Sequence, residues 1–223
     1  MNIQEIQIKE FPIIIFSDSH TNISNIRELQ RLYPNKPLIS LGDLTFLFSK
    51  PGETWNHKSI DFFAEHKIPC VVGNHDQHLL NCSTGNSLTK ALNRFDEYSS
   101  FDADIYDLTQ QHIDYLRKLP IGIKLILPNN KHYFLCHNKV RDLWGNIEES
   151  YKEFAFIKEF PINNDTIACL RGHEHREFII DFPNVSTKLI TIGHLCNGDH
   201  HNTENKGKKY AIITENGVEF KQL

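Results

Sequence analysis

The 223-residue sequence predicts an α/β fold, a sandwich built on mixed β-sheet. In the first third of the chain, short apolar runs alternate with helical patterns, which is the order of a βαβαβ unit with parallel strands. After about residue 123 apolar runs follow one another with turns between them, as in sheet strands. No repeat, low-complexity tract or Pro/Ser-rich linker divides the chain, so we expect one domain over residues 1–223.

The parallel unit begins with a strand at 12–16 and an amphipathic helix from about Asn22 to Tyr33. In this helix Ile23, Ile26 and Leu29 form a buried stripe, and Thr21 or Asn22 can supply the N-cap oxygen. The unit continues with strands at 37–40 and 69–72 and a helix near 55–66 between them.

A further helix is predicted over 108–120, with Thr109 as its cap and Pro120 as its stop. The Asn216-Gly217 pair predicts a tight turn into a terminal hairpin, and 81–87 has the composition of a surface loop. The remaining predicted strands are 123–127, 132–136, 166–170, 177–181, 188–192 and 210–214.

Composition narrows the classes of partner. The formal net charge of -4 provides no extended basic surface for a nucleic-acid backbone, so an anionic substrate must be attracted locally. The first residues carry Glu5 and Glu10 and no long apolar core, and the apolar run 13–16 is too short to span a bilayer, so we expect neither a secretory signal nor a membrane segment. Five cysteines without a CxxC pair favour a reducing, cytoplasmic setting. The oligomeric state is left open.

Polar clusters follow the predicted strands at the point where each strand ends. In open α/β sheets this edge is where ligand sites assemble, and neighbouring strands are only about 5 Å apart. The loops after adjacent strands can therefore direct several side chains into one small volume. The clusters are SDSH after 13–16, GDLT after 38–41, GNHD after 70–72, HN after 133–136 and RGHEH after 167–170.

The residue types in these clusters predict a metal site with mixed oxygen and nitrogen ligands. Such ligands without thiolate suit borderline divalent ions better than calcium. Seven donors are more than one tetrahedral ion can bind, but two ions that share a carboxylate could use all of them. Two divalent ions have a total charge of +4, and two carboxylates and a hydroxide contribute -3. A net charge of about +1 is then left to attract a phosphate oxyanion. The donors are Asp18, His20, Asp43, Asn74, His137, His173 and His175.

In this order the motifs resemble those of calcineurin-like metallophosphoesterases, in a small bacterial-type branch. The set DxH, GDxx, GNH[DE], H and GHxH reads here as DSH at 18–20, GDLT at 42–45, GNHD at 73–76, His137 and GHEH at 172–175. The resemblance implies a four-layer αββα sandwich with two mixed β-sheets. It also implies a metal-dependent phosphomonoesterase or phosphodiesterase acting on a small phosphorylated or nucleotide-like substrate.

The resemblance further implies a dinuclear centre with a metal-bridging hydroxide as the nucleophile. Manganese is the first choice of metal, with Fe, Zn, Ni or Co as alternatives. Asp43 would bridge both ions, and His75 would face the substrate without binding metal, so Asp43 and His75 are the predicted catalytic residues. One ion would be held by Asp18, His20, Asp43 and His175, and the other by Asp43, Asn74, His137 and His173.

Some positions depart from the family pattern. Ser/Thr protein phosphatases carry GDxVDRG, where this chain has Phe46 and Leu47 in place of the second Asp and the Arg, which disfavours a protein phosphatase. Glu174 replaces the common Thr of GHTH. Two alternatives remain open: a dinucleoside polyphosphate hydrolase, and a catalytically silent metal-binding scaffold of the same fold. Four histidines are left without an assigned role, although a solvated loop is favoured for the last three: His78, His194, His200 and His201.

Overall fold

A computed structural model describes residues 2–46, 55–83, 108–138, 162–181, 186–197 and 207–223. Within these ranges the strands form two mixed sheets, which confirms the predicted fold class. The strands are β1 (Ile3–Gln7), β2 (Ile13–Phe16), β3 (Leu38–Ser40), β4 (Gly122–Ile126), β5 (His132–Cys136), β6 (Thr166–Arg171), β7 (Glu177–Asp181), β8 (Lys188–Ile192), β9 (Lys209–Thr214) and β10 (Gly217–Gln222). The helices are α1 (Ile23–Leu32), α2 (Asn56–Glu65), α3 (Asn74–Ser83) and α4 (Gln110–Lys118).

The two sheets place the strands that precede the polar motifs side by side. The six-stranded sheet has the order β1-β4-β5-β6-β8-β7, and the four-stranded sheet has the order β10-β9-β2-β3. The pairs β2·β3 and β5·β6 are parallel, so the carboxyl ends of both strands in each pair meet at one edge. The remaining predicted strands and the terminal hairpin form as expected, and β9 and β10 pair antiparallel.

The core lies between the sheets and under the helices. Ile13 and Ile15 of β2 face Leu125 and Leu135 of the other sheet in one buried cluster. Because side chains alternate along a strand, the next residues of β2 point the other way and pack against the helices. The four helices of the described ranges all contribute buried side chains to that second cluster, so they cover the four-stranded sheet. Among the described residues no helix covers the six-stranded sheet. The prediction of a second helical layer, on that side of the αββα sandwich, falls on residues outside the described ranges.

Helix α1 starts where its sequence predicts. Asn22 is the N-cap, and its side-chain oxygen accepts a hydrogen bond from the backbone N–H of Asn25 at 3.2 Å. Ile26 and Leu29 are fully buried. Helix α4 begins after Thr109, whose backbone N–H donates to Nδ1 of His112 at 3.0 Å.

The sequence-based expectation differs from the structure in three places. Strand 69–72 is reduced to a single bridge between Ser40 and Cys70, because the chain turns at Gly73 into α3. Residues 81–83 of the expected loop belong to α3, which extends to Ser83, and the rest of the expected loop lies outside the described residues. Strand β1 was missed because it is a half-exposed edge strand that, among the described strands, pairs with β4 alone. Among the described helices, none is long and apolar enough to cross a membrane.

Candidate metal centre

The site is built from loops at the carboxyl ends of strands, and their backbone is unusual. Five of the seven predicted ligands have a left-handed backbone, which costs about 1–3 kcal/mol for a residue other than glycine. Such conformations persist only where the surrounding structure enforces them, and they concentrate at functional sites. The five residues are Asp18 (φ 51°), His20 (φ 43°), Asp43 (φ 52°), His173 (φ 70°) and His175 (φ 53°).

Three motif glycines allow these loops to approach one another. A Cβ on Gly42 would lie 2.9 Å from the backbone of Gly73, and Gly42 also has a φ of 98°. A Cβ on Gly73 would collide with the Asp43 carboxylate, and a Cβ on Gly172 would lie 2.6 Å from Oδ2 of Asp18. The glycines of GD, GNH and GH are therefore required by close packing around the two carboxylates.

The first group of donors comprises Asp18, His20 and His175. Nε2 of His20 lies 3.2 Å from Nε2 of His175, and Oδ1 of Asp18 lies 3.3 Å from the His175 nitrogen and 3.9 Å from the His20 nitrogen. The other oxygen of Asp18 accepts the backbone N–H of His173 at 3.0 Å. The three ligand atoms lie within 4.8 Å of one another and could hold one metal ion.

The second group lies around Asp43 and Asn74. Oδ2 of Asp43 is 3.4 Å from Nε2 of His137, and Oδ1 of Asp43 accepts the backbone N–H of His75 at 2.9 Å. Oδ1 of Asn74 lies 2.7 Å from Nε2 of His137 and 2.9 Å from Nδ1 of His173. The structure thus brings all seven predicted ligand residues and His75 into one cluster.

Second partners fix which nitrogen of two imidazoles faces the cluster. Nδ1 of His137 donates to the carbonyl of Leu41 at 2.8 Å, and Nδ1 of His20 donates to the carbonyl of Thr45 at 3.1 Å. When such a ring is neutral, its Nε2 carries a lone pair that points at the other potential ligand atoms. This is the usual arrangement of metal-binding histidines.

Two observations indicate that the cluster suits a cation. Oδ1 of Asp18 is buried and has no hydrogen-bond partner among the described residues, although a buried carboxylate oxygen without a partner is costly. Oδ1 of Asn74 lies 2.7 Å from Nε2 of His137 and 2.9 Å from Nδ1 of His173, so three potential ligand atoms converge on one point. A divalent ion would satisfy these atoms together, so the nitrogen and oxygen donors present fit the metal that the sequence predicts.

Burial and charge set the protonation of the metal-free site. Burial opposes a charge on His137, but the carboxylates of Asp43 and Asp18 outweigh it and raise the pKa of His137 to about 9. Burial lowers the pKa of His20 to about 4 and that of His173 to about 3, so both stay neutral and able to bind metal at pH 7. Burial raises the pKa of Asp43 to about 6, although the nearby His137 acts to lower it.

His75 stands beside both groups of donors. Its Nε2 lies 3.9 Å from Oδ2 of Asp43, and its ring centroid is 4.8 Å from that of His20. Burial lowers the pKa of His75 well below its ordinary value. His20, Asp43 and His75 also form a group whose ligand atoms lie within 4.8 Å, so the distances alone leave His75 within reach of a metal ion.

Sequence reasoning missed His194. It was expected in a solvated loop, but it is fully buried, its Nδ1 donates to the carbonyl of His175 at 3.1 Å, and the two ring centroids lie 4.8 Å apart. The missed signal was its position two residues after β8, since the other site residues also follow strands. His78 is buried in α3, and His200 and His201 lie outside the described residues.

The fold and this donor set define a class of protein, the metal-dependent phosphoesterases. Residues 11–177 match the family model of the calcineurin-like phosphoesterases. Because the match spans most of the sequence, the chain belongs to this family, which is metal-dependent, and it is a phosphoric ester hydrolase. No curated protein matches the chain in sequence.

Solved structures of metallophosphoesterases share the fold. A metallophosphoesterase from Sphaerobacter thermophilus is 21% identical with a TM-score of 0.63, over 96% of this chain and 88% of that one. A protein provisionally assigned as a diadenosine tetraphosphatase is 17% identical with a TM-score of 0.59, over 99% and 97%. An archaeal phosphodiesterase is 16% identical with a TM-score of 0.51, over 96% and 100%. At these identities the likeness concerns the fold alone.

Proposed function

We propose that this chain hydrolyses phosphate monoesters or diesters of small, nucleotide-like substrates with two divalent metal ions. The observation that carries the proposal is the position of Asp43. Its carboxylate groups with His137 of one proposed ligand set and with His20 of the other, and the ligand atoms of each group lie within 4.8 Å. Asp18 also groups with both His20 and His137, so the geometry allows either carboxylate to lie between two ions, and the family resemblance assigns the bridge to Asp43.

The proposed ligands divide as the family resemblance implies, with Asp43 shared between the ions. Two bound ions would offset the charge of the phosphoryl oxygens and lower the pKa of a water molecule. The chain's own part is to hold the donors: Thr45 and Leu41 orient His20 and His137 through their carbonyls. The pKa of His75 is lowered in the metal-free chain, so the ring would have to take up a proton beside the anionic substrate before donating it to the departing oxygen; as a neutral ring it would hydrogen-bond the phosphoryl group.

The electrostatics of the described residues support a small substrate that is bound through the metals. The buried guanidinium of Arg171 is paired with Glu174 at 3.1 Å, so its charge is already balanced inside the protein. Phe46 places an apolar ring beside His75. The phosphate would therefore be held by the ions and the neutral imidazoles. Manganese is the proposed metal, and we propose a single cytoplasmic domain.

Hydrolysis of a dinucleoside polyphosphate is the second candidate. It uses the same metal chemistry and differs in the leaving group, and the fold is shared with the protein provisionally assigned as a diadenosine tetraphosphatase. A silent scaffold is disfavoured because all seven predicted ligands and His75 are present.

A substrate panel tests the proposal. The purified chain is loaded in turn with Mn, Fe, Zn, Ni or Co and offered aryl monoesters, aryl diesters, cyclic nucleotides and dinucleoside polyphosphates. Metal-dependent turnover of an ester is the expected result. A folded, metal-loaded protein that hydrolyses only the polyphosphates would establish the second candidate, and turnover of none would favour the scaffold.

A further inference from the structure

Phe46 contacts both His75 and His20. The rings of Phe46 and His75 are stacked, with their planes 8° apart and their centroids 5.7 Å apart. The same phenyl ring meets His20 edge-on, at a centroid distance of 5.2 Å and an interplanar angle of 66°. The rings of His20 and His75 lie 4.8 Å apart. The three rings form one aromatic cluster, with geometries and distances in the range of favourable aromatic pairs.

The backbone of Phe46 is fixed by a buried amide. The N–H of Phe46 donates to Oδ1 of Asn56 at 2.8 Å, and Nδ2 of Asn56 donates back to the carbonyl of Phe46 at 3.0 Å. Asn56 is the first residue of α2 and is 1% exposed. One turn later, Oγ of Ser59 donates to the carbonyl of Leu44 at 2.8 Å. Helix α2 therefore holds the loop that presents the phenyl ring.

We propose that Phe46 is a positioning residue that holds the imidazole of His75 in its working orientation, with Asn56 holding Phe46 in turn. A phenyl face stacked on the imidazole limits rotation of the imidazole about its Cβ–Cγ bond. Because the contact is made through the ring face, it occupies neither nitrogen of His75. The inference rests on the proposed function, in which His75 acts on the phosphoryl group or the leaving oxygen.

The test compares Phe46→Leu, which keeps an apolar side chain, with Phe46→Tyr, which keeps the aromatic face. Phe62→Leu is the matched control, since the Phe62 ring also stacks on a histidine, His66, with centroids 4.0 Å apart, but within α2. We expect Phe46→Leu to lower kcat on an alkyl phosphate about tenfold, because misplaced catalytic groups lose rate steeply. KM should stay within about twofold, since the metals would still bind the phosphate. Phe46→Tyr should restore most of kcat.

A second measurement uses the metal-free protein and does not depend on activity. The imidazole of His75 is stacked against the phenyl ring of Phe46, so the NMR signals of its carbon-bound ring protons should shift in Phe46→Leu and stay in place in Phe62→Leu. A His75→Gln variant assigns these signals. Phe46→Met, which is also apolar and not aromatic, replaces the leucine variant if that variant does not fold.

Two results would overturn the inference. One is a Phe46→Leu protein with wild-type kcat or unmoved His75 signals. The other is a loss of kcat that follows an equal loss of bound metal, because Phe46 would then serve the metal centre through His20. If the wild-type protein hydrolyses no ester, the proposed function fails, while the NMR comparison still decides whether the Phe46 ring lies against His75 in solution.

Discussion

Oδ2 of Asp76 accepts the backbone N–H of Asp43 at 3.0 Å, so the GNHD motif holds the GDLT motif in place. The same oxygen accepts the N–H of Gly73 at 2.9 Å. Oδ1 accepts the N–H of Thr45 at 3.0 Å and its hydroxyl at 2.7 Å. One buried carboxylate thus receives four hydrogen bonds, and it joins the loop of the proposed bridging ligand to the start of α3.

We expect Asp76→Asn to destabilise the metal-free protein by about 2 kcal/mol. The amide keeps one oxygen but turns an NH₂ group toward donors that the carboxylate had accepted. Urea unfolding measures the loss, with Asp114→Asn as control, because Asp114 is paired only on the surface of α4. Equal unfolding midpoints for the two variants would show that Asp76 does not hold the loops together.

The proposed bridging role of Asp43 predicts a joint loss of metal and activity in Asp43→Asn. The substitution removes one negative charge between the two groups of donors, so both proposed ions lose the charged oxygen that holds them. Metal analysis of the purified protein, alongside kcat/KM on an aryl ester, measures both effects. Asp165→Asn, in an exposed turn, is the control. Two tightly held ions per chain in Asp43→Asn would exclude the bridge.

Metal uptake should depend on pH through His137. Its pKa is raised to about 9 in the metal-free chain, so the ring is protonated at pH 7 and must lose a proton to bind metal. The apparent affinity for Mn²⁺ should therefore rise about tenfold per pH unit from pH 7 to 9 and level off above pH 9. Titration calorimetry in buffers of different ionisation enthalpy measures both the affinity and the released proton.

Two variants separate this effect from general changes with pH. His137→Gln should bind metal more weakly and lose most of the slope between pH 7 and 9, because no proton is displaced from this position. His66→Gln, at an exposed position in the turn after α2, should keep the wild-type slope. A flat wild-type profile would mean that His137 is neutral before metal arrives.

The sequence predicted the parts of the fold that depend on local pattern. Helix α1 follows from the spacing of Ile26 and Leu29 and from Asn22 as its cap. Strand β1 could not be predicted in the same way, since its partner β4 lies more than a hundred residues away and its pattern is half polar. Edge strands of this kind are specified by pairing more than by local pattern.

In the site, the sequence indicated which side chains would converge but not how they are held. Each motif residue follows a strand, and by that rule Asp18 and His137 were expected to converge; their ligand atoms do lie in one group, although β2 and β5 belong to different sheets. The contacts of Asn56 with Phe46, and of His194 with His175, join residues that are distant in sequence or belong to no motif. Such contacts depend on the packed arrangement of several loops, which no local pattern encodes.

Substrate preference gives a further prediction. In the sequence Phe46 and Leu47 stand where Ser/Thr protein phosphatases carry an Asp and an Arg, and the Phe46 ring stacks on His75. Without that arginine to clamp phosphate, kcat/KM on a phosphopeptide should be at least about tenfold below that on a small aryl ester. Parallel assays of one Mn-loaded sample measure the ratio. Comparable values would remove the proposed preference for small substrates.

The last prediction concerns the role of His75, which stands beside the donors with Nε2 3.9 Å from Oδ2 of Asp43. An alkoxide is a poor leaving group and needs a proton as its bond to phosphorus breaks, whereas a nitrophenolate leaves with little help. A general acid contributes about 10²–10⁴-fold, so His75→Ala should cost about 3 to 5 kcal/mol of transition-state stabilisation on an alkyl or nucleoside ester and much less on a nitrophenyl ester.

The measurement is kcat/KM of His75→Ala and wild type on both esters, together with metal content. His66→Ala is the control, since it removes an exposed imidazole in the turn after α2. Full metal content in His75→Ala is expected, because the seven proposed ligands remain. If a metal ion is lost, His75 is a ligand, as its grouping with His20 and Asp43 would allow. If both esters lose rate equally with metal content intact, His75 orients the phosphoryl group by hydrogen bonding, and the proton reaches the leaving oxygen from another source.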